Sequence, residues 1–274
     1  MLRCRSASQL FRLSKLPRRL GAWLCGILRI SHKATIVTGL LRGAASTQVH
    51  NERVTFYAKF IQRGDLCFDI GANIGNRTDM FLALGARVVC VEPQPNCASM
   101  LAEKYRKNSQ VLLVPKGVAA QPGIMPLSLC ESASTIATFS EKWETGRFRD
   151  YRWESTVDVS VTTLDALIQE YGVPAFCKID VEGFERQVLQ GLSSPIPALS
   201  FEFTKEFLDD ANACMNYLAT IQPVVFNYTL GEIPTLALSE WSDASTITSR
   251  LHQIQDRLLW GDIYAKFLSV KREQ

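Results

Sequence analysis

Ten residues, Asp69-Ile70-Gly71-Ala72-Asn73-Ile74-Gly75-Asn76-Arg77-Thr78, limit what this chain can fold into more than any other stretch. Leu66-Cys67-Phe68 before them is a short apolar run that reads as a buried parallel strand. Asp79-Met80-Phe81-Leu82-Ala83-Leu84 after them has helical spacing. The layout is strand, glycine turn, helix. Glycines at Gly71 and Gly75 remove the Cβ atoms that would hold a ligand away from the backbone N–H groups and the helix start.

Dinucleotides and S-adenosylmethionine both bind to this architecture. The dinucleotide fingerprint is G-x-G-x-x-G, with a diphosphate on the helix N-terminus. Here the spacing is G-x-x-x-G and Asp69 stands at the strand end. A carboxylate repels a diphosphate but attracts an ammonium and a sulfonium, so the charge favours S-adenosylmethionine. Arg87-Val88-Val89-Cys90-Val91 reads as the next strand and ends on Glu92-Pro93, where an acid is placed to accept both ribose hydroxyls. That last feature suits NAD equally. The plainer alternative is a tight turn closed by Gly71 and Gly75, with Glu92 a solvated loop carboxylate. It explains each feature singly, but not Asp69, two glycines and Glu92 in register.

Charge divides the chain. Residues 1–50 carry 9 Lys or Arg and no acid, leaving 21 basic against 27 acidic residues beyond, a balance near −6. An acidic main domain argues against a nucleic-acid footprint. The eight cysteines form no C-x-x-C pair and read as small core hydrophobes of a reducing, cytoplasmic setting. The three histidines are isolated, so no metal ligand set is expected.

The expected division is a basic helical lead-in over 1–50 and a catalytic domain over 51–274. Leu20 to Leu28 is too short to span a bilayer. A packed lead-in, a targeting presequence and an amphipathic segment touching anionic lipid all fit residues 1–50; the packed lead-in is the expectation, with peripheral membrane contact the sharper alternative. Val54, Tyr57, Ala58 and Ile61 predict a helix over 51–62. Further helices are expected from Pro95 to Lys107 and from Thr162 to Tyr171, with strands at Val111 to Val114 and Met125 to Cys130. Lys116-Gly117-Val118-Ala119 lies where an adenine ring would slide past small residues, or is a simple strand end. Glu131 to Asp158 reads as an insertion bearing Trp143, Phe148, Tyr151 and Trp153, either a substrate cover or rings that fasten the loop down. Ala198 to Phe203 predicts a strand with Glu202 available to an acceptor pocket. Pro223 to Tyr228 and Asp262 to Phe267 predict a closing pair, with a helix from Thr246 to Leu259 between them.

Chemistry concentrates again in Phe176-Cys177-Lys178-Ile179-Asp180-Val181-Glu182-Gly183-Phe184-Glu185. Ala175 to Ile179 reads as a parallel strand and Arg186 to Leu192 as the following helix, so Asp180, Glu182 and Gly183 sit at the strand's carboxyl end, where open α/β sheets bind ligands. Lys178 and Asp180 point to one side by the period of two. An internal Lys178 to Asp180 pair, or Glu182 at the next helix start, would explain them without function. The acids at 69, 92 and 180 are expected to share one crevice.

Asp69-Ile-Gly-Ala-Asn-Ile-Gly75 together with Lys178-Ile-Asp-Val-Glu-Gly183 resembles the FkbM-type methyltransferases, from about Phe56 to Leu192 and on towards Phe267. The resemblance implies a class I Rossmann-like α/β fold, with a mostly parallel seven-stranded sheet and an antiparallel edge hairpin. It implies S-adenosylmethionine as cofactor and O-methylation of a hydroxyl on a sugar or secondary metabolite. It also implies a cofactor site at Asp69, Gly71, Asn73, Gly75 and Glu92, completed by Ala72, Asn76 and Thr78 in the turn and by Pro93 and Val118 beyond the next strands. The expected catalytic group is Asp180, as base or acceptor-positioning residue, with Glu182 shaping the pocket or holding a cation and Lys178 beside them. The expected partner is a small-molecule or glycan acceptor with a free hydroxyl. Sites that methylate exocyclic amines carry Asn or Asp before Pro-Pro-aromatic, and Asp180-Val-Glu-Gly lacks it. An NAD-dependent oxidoreductase and a nucleoside-binding scaffold without catalysis remain the alternatives.

Overall fold

A computed structural model of the chain describes residues 43–130, 133, 136–153, 155–268 and 270. The expectations for residues 1–42 lie outside the described residues. In chain order the elements are α1 (Gly43–Tyr57), β1 (Leu66–Ile70), α2 (Asn76–Ala83), β2 (Arg87–Val91), α3 (Pro95–Tyr105), β3 (Val111–Val114), β4 (Gly117–Val118) and β5 (Gly123–Leu129). They continue with α4 (Glu141–Thr145), β6 (Ser155–Thr162), α5 (Leu164–Tyr171), β7 (Phe176–Ile179), α6 (Glu185–Leu189), β8 (Ala198–Thr204), α7 (Leu208–Ile221), β9 (Val224–Tyr228), α8 (Ala244–Gln253) and β10 (Trp260–Phe267).

Seven strands form one sheet in the order β3-β2-β1-β7-β8-β10-β9. All neighbours are parallel except β10, which runs antiparallel to β8 and β9. This is the class I methyltransferase arrangement, with the edge hairpin where the sequence indicates it. The chain moves outward from β1 through β2 to β3, then returns to the other side of β1 as β7. Strand order therefore reverses at β1, and the crevice for a ligand opens at the carboxyl ends of β1, β2 and β7.

Both faces of this sheet are covered, which is why its central strands are apolar on both sides. One face packs Phe56, Tyr57, Phe60, Met80 and Phe81 from the α1 and α2 region against Cys67, Phe176 and Tyr264. The other packs Phe68, Ile70, Ile179 and Phe201 against residues of α5, α6, α7 and α8. Burial of these side chains, at about 25 cal/mol per Å² of apolar surface, is the main term holding the layers together.

Several elements differ from the sequence expectation. The first described helix spans Gly43–Tyr57 rather than 51–62, with Phe60 and Ile61 extending its buried face beyond the helical turn. The 131–158 stretch is not one long loop, since it contains α4 and the start of β6. That strand alternates Val157, Val159 and Val161 with polar residues, and joins β4 and β5 in a second sheet of order β4-β6-β5. The helix expected to Leu259 ends at Gln253: Ile254 still packs on the core but in an extended conformation, φ −72 and ψ 120, and Leu258 is 46% exposed. Among the described residues no helix is long and apolar enough to cross a membrane, and the six described cysteines are free and buried.

The approach of the β1 turn to the β7 turn depends on one glycine. Gly71 has φ +81, and a Cβ there would overlap the Asp180 carbonyl oxygen. Gly64 has a similar φ, +88, but faces open space. Gly64→Ala should therefore cost only the left-handed strain, about 1–2 kcal/mol, and Gly71→Ala clearly more, as read by urea denaturation of the two variants side by side.

Candidate active site

The glycine turn is held from three directions. Gly71 and Ala72 donate their backbone N–H groups to Val91 O at 2.9 and 3.0 Å, tying the turn to the end of β2. Asn73, at φ 51, donates its N–H to Glu92 Oε2 at 2.7 Å. Tyr105 of α3 donates to Asp79 Oδ1 at 2.7 Å and its hydroxyl lies 3.0 Å from Gly75 O, while Lys104 reaches Asp79 Oδ2 at 2.6 Å and Ile74 O at 2.9 Å. A Cβ at Gly75, φ +82, would collide with that tyrosine hydroxyl. Burial, with Asp79 beside it, raises the Tyr105 pKa, so the phenol stays a donor.

Asp69 does not open into the crevice as its sequence position suggests. It is 1% exposed, and its Oδ2 accepts from Thr78 Oγ1 at 2.6 Å. Burial raises its pKa, opposed by that hydrogen bond and by Arg77 and Lys178. The reason is register: Asp69 pairs laterally with Cys90 and Lys178, inside the α2 face of the sheet, one step below the strand tip. It braces the turn to the first turn of α2.

Glu92 is also engaged by the protein, since its Oε1 accepts from Gln94 N at 2.8 Å while Oε2 takes Asn73 N. A carboxylate has about four lone-pair sites, so capacity for hydroxyls remains. Ala72, Thr78 and Val118 have side chains buried in the core, so only their backbone can face a ligand. Gly71, Asn73 and Pro93 are half-buried and Asn76 is exposed. The donor chemistry around the reversal point is carboxylate and amide, with Lys178 fully buried, and this fits a cationic nucleoside better than a diphosphate.

On β7 the alternative of an internal ion pair proves correct in kind, but the nearer partner is unexpected. Lys178 is 0% exposed, and its Nζ lies 2.7 Å from Asp262 Oδ1 on β10 and 3.6 Å from Asp180 Oδ2. Burial works to lower the Lys178 pKa, and the carboxylates of Asp180 and Asp262 more than offset it, so the ammonium stays charged. Asp180 begins the crevice wall where β7 ends, its N–H donating to Ile70 O at 2.9 Å. Glu182 follows in a strained left-handed conformation, φ 55, with its carbonyl accepting from Thr138 Oγ1 at 2.7 Å.

Carboxylate oxygens of Asp180, Glu182 and Glu202 all lie within 4.8 Å of one another. Oxygen donors so grouped are of the type that hard divalent cations take. Beside them is a cavity of about 390 Å³, bounded by α4, the β7–α6 turn, the end of β8 and the start of α7. Glu185 and Glu202 line it, whereas Asp69, Glu92, Asp180 and Glu182 do not. The three acids at 69, 92 and 180 therefore occupy adjacent strand ends without sharing this hollow. Trp143 of α4 lies against Gly183, where a Cβ would come within 2.8 Å of its ring, so the aromatic insertion covers the cavity.

Sequence reasoning missed Asp262 and Glu185. A charged residue inside the apolar run Trp260–Phe267 is the same signal that singled out Lys178. Glu185 is 8% exposed and accepts from Val181 N and Gly183 N at 3.2 and 3.3 Å, fixing the turn that carries Glu182. Burial pushes its pKa up to about 7.

A family model described as the methyltransferase FkbM domain matches residues 69–221. The hexuronic acid methyltransferase AglP of Haloferax volcanii is 25% identical over 143 residues, 51% of this chain and 55% of that protein. The chain thus spans about half the length of that relative. Among solved structures, a precorrin 8w decarboxylase of Methanobacterium thermoautotrophicum aligns with TM-score 0.42 and 10% identity over 79% of this chain and 89% of its own. A putative methyltransferase from Streptococcus mutans in complex with SAH aligns with TM-score 0.38 and 11% identity over 78% and 95%. The strand order β3-β2-β1-β7-β8-β10-β9 defines the fold.

Lys178→Met should destabilise the fold by about 3–5 kcal/mol, because Asp262 is left buried without its cation. Adding Asp262→Asn should recover most of that loss in thermal denaturation. Glu185 gives a pH signature. Its folded pKa lies above its ordinary 4.5, so its stabilising share is full below pH 4.5 and is lost as pH rises to about 7, on the order of 3 kcal/mol. Glu185→Gln should remove this slope, so that its unfolding free energy gains on the parent's between pH 4.5 and 7.

Proposed function

From the premise that the chain belongs to the FkbM methyltransferase family, we propose that it is an S-adenosylmethionine-dependent enzyme that methylates a hydroxyl of a sugar. The observation that carries this is the family match across both acidic strand ends, residues 69–221, on the class I strand order. The hexuronic acid activity in the name of the Haloferax volcanii relative supports a sugar as the acceptor class. The NAD-dependent alternative falls with the family membership. Residues 51–274 form the catalytic unit of this proposal. A cytoplasmic location, with peripheral membrane contact through the basic residues 1–50 and no nucleic-acid partner, belongs to the same reading.

The turn from Asp69 through Gly71, Ala72, Asn73, Gly75, Asn76 and Thr78 would hold the cofactor, together with Glu92, Pro93 and Val118. When bound it supplies a methyl group activated on a sulfonium. The rest is the work of this chain's residues. The acidic strand ends make the crevice attractive to a cation, and the insertion around Trp143 keeps water from the acceptor. Holding the acceptor oxygen in line contributes on the order of 7 to 11 kcal/mol when the fit is good. A sugar hydroxyl is a weak nucleophile, so a carboxylate must take its proton as the new bond forms, and Asp180 is that base. Lys178, 3.6 Å from its Oδ2, orients Asp180 from below. Glu182 shapes the same wall.

Asp180→Asn should lower kcat by about 10² to 10⁴. S-adenosylmethionine affinity, followed by isothermal titration calorimetry, should stay within a few-fold of the parent, and NAD should give no heat. Undiminished turnover would remove Asp180 from this role.

A further inference from the structure

The cavity under α4 adjoins the proposed base, because Glu202 both lines it and stands within 4.8 Å of an Asp180 carboxylate oxygen. Its charge is arranged by depth. Glu185 and Glu202, 8% and 5% exposed, are the buried acids of its wall. The lining cations are Lys142 and Arg186, whose side chains are 67% and 50% exposed, at the rim. Both are already directed at Asp210, which also lines the cavity, at 2.9 and 3.8 Å. The interior is therefore acidic, and the lining cations stay at the rim beside Asp210.

A carboxyl group pairs readily with sugar hydroxyls, whereas a pair of them offers a third carboxylate no cation to balance it. The remaining lining suits an uncharged ring. Trp143, Phe184 and Phe207 present flat apolar surface, with Trp143 and Phe207 centroids 6.0 Å apart. Trp143 Nε1 and Thr204 Oγ1, on side chains 2% and 3% exposed, have no hydrogen-bond partner. Such orphaned polar atoms call for a ligand with hydroxyls. A volume of about 390 Å³ falls in the range of small-molecule sites.

We infer that this cavity takes the acceptor, and that the acceptor ring is a neutral sugar rather than a uronic acid. The inference rests on the methyltransferase reading and departs from the hexuronic acid named for the relative. A uronate carboxylate would face Glu185 and Glu202 with no available cation at that depth.

The test uses the full chain with radiolabelled S-adenosylmethionine and an immobilised panel of neutral hexosides, each paired with its uronide. Neutral members should take up label at least about tenfold faster than their uronides. Glu185→Gln should narrow that ratio by raising the uronide rate. Label on uronides at equal or higher rate, or label on no neutral sugar, overturns the inference. Calorimetry with S-adenosylmethionine separates the two levels. With binding intact, those results leave the methyltransferase reading standing. Without binding, both fall together.

Discussion

A lysine with no exposed surface, set in the middle of a sheet, is the constraint around which the catalytic half is arranged. Removing an ammonium from water costs several kcal/mol unless opposite charge and hydrogen bonds compensate. Lys178 receives that compensation from Asp262 across the sheet and from Asp180 two residues along its own strand. Asp262 is in turn 3.5 Å from the Tyr264 hydroxyl. Burial lowers the pKa of nearby Arg77, but Tyr57, Glu232 and Asp262 outweigh it and keep the guanidinium charged. Glu232 also holds Arg53 of α1, at 3.0 Å. The first described helix and Asp180 thus belong to one charge system, and β10 cannot be displaced without disturbing Asp180.

Much of the fold was legible because it is written in local signals. Apolar runs of four or five residues gave the parallel strands, and Gly71 and Gly75 gave the turn. The closing pair was visible at Val224–Tyr228 and Trp260–Phe267 by the same reasoning. The small sheet was missed although β6 alternates in steps of two. Its early half was absorbed into a stretch judged by its aromatics, and two-residue β4 has no period to detect.

The candidate site was legible in position but less so in side-chain duty. Sequence spacing places Asp69, Glu92 and Asp180 at neighbouring strand ends, and they are there. It cannot tell that Asp69 is spent on Thr78, or that both oxygens of Glu92 serve backbone amides of Asn73 and Gln94. Those bonds are decided by how the chain turns after each strand. Nor can it pair Lys178 with a residue 84 positions later, since that contact exists only because β10 inserts antiparallel between β8 and β9.

The distribution of charge also explains why acid crowding at the end of β7 is tolerable. Asp180, Glu182 and Glu202 stand together with one buried cation beneath them, and that cation is shared with Asp262. Repulsion of this kind is a cost to the fold, and it is contained by backbone. Thr138 fixes the Glu182 carbonyl, Glu185 takes two amides of the same turn, and Gly71 lets the β1 turn press against the Asp180 peptide. Each of these three restraints acts on main chain and so fixes the direction of the segment that carries the acids. Acids in a wall so firmly held suit a reaction that draws in a cation and releases a proton.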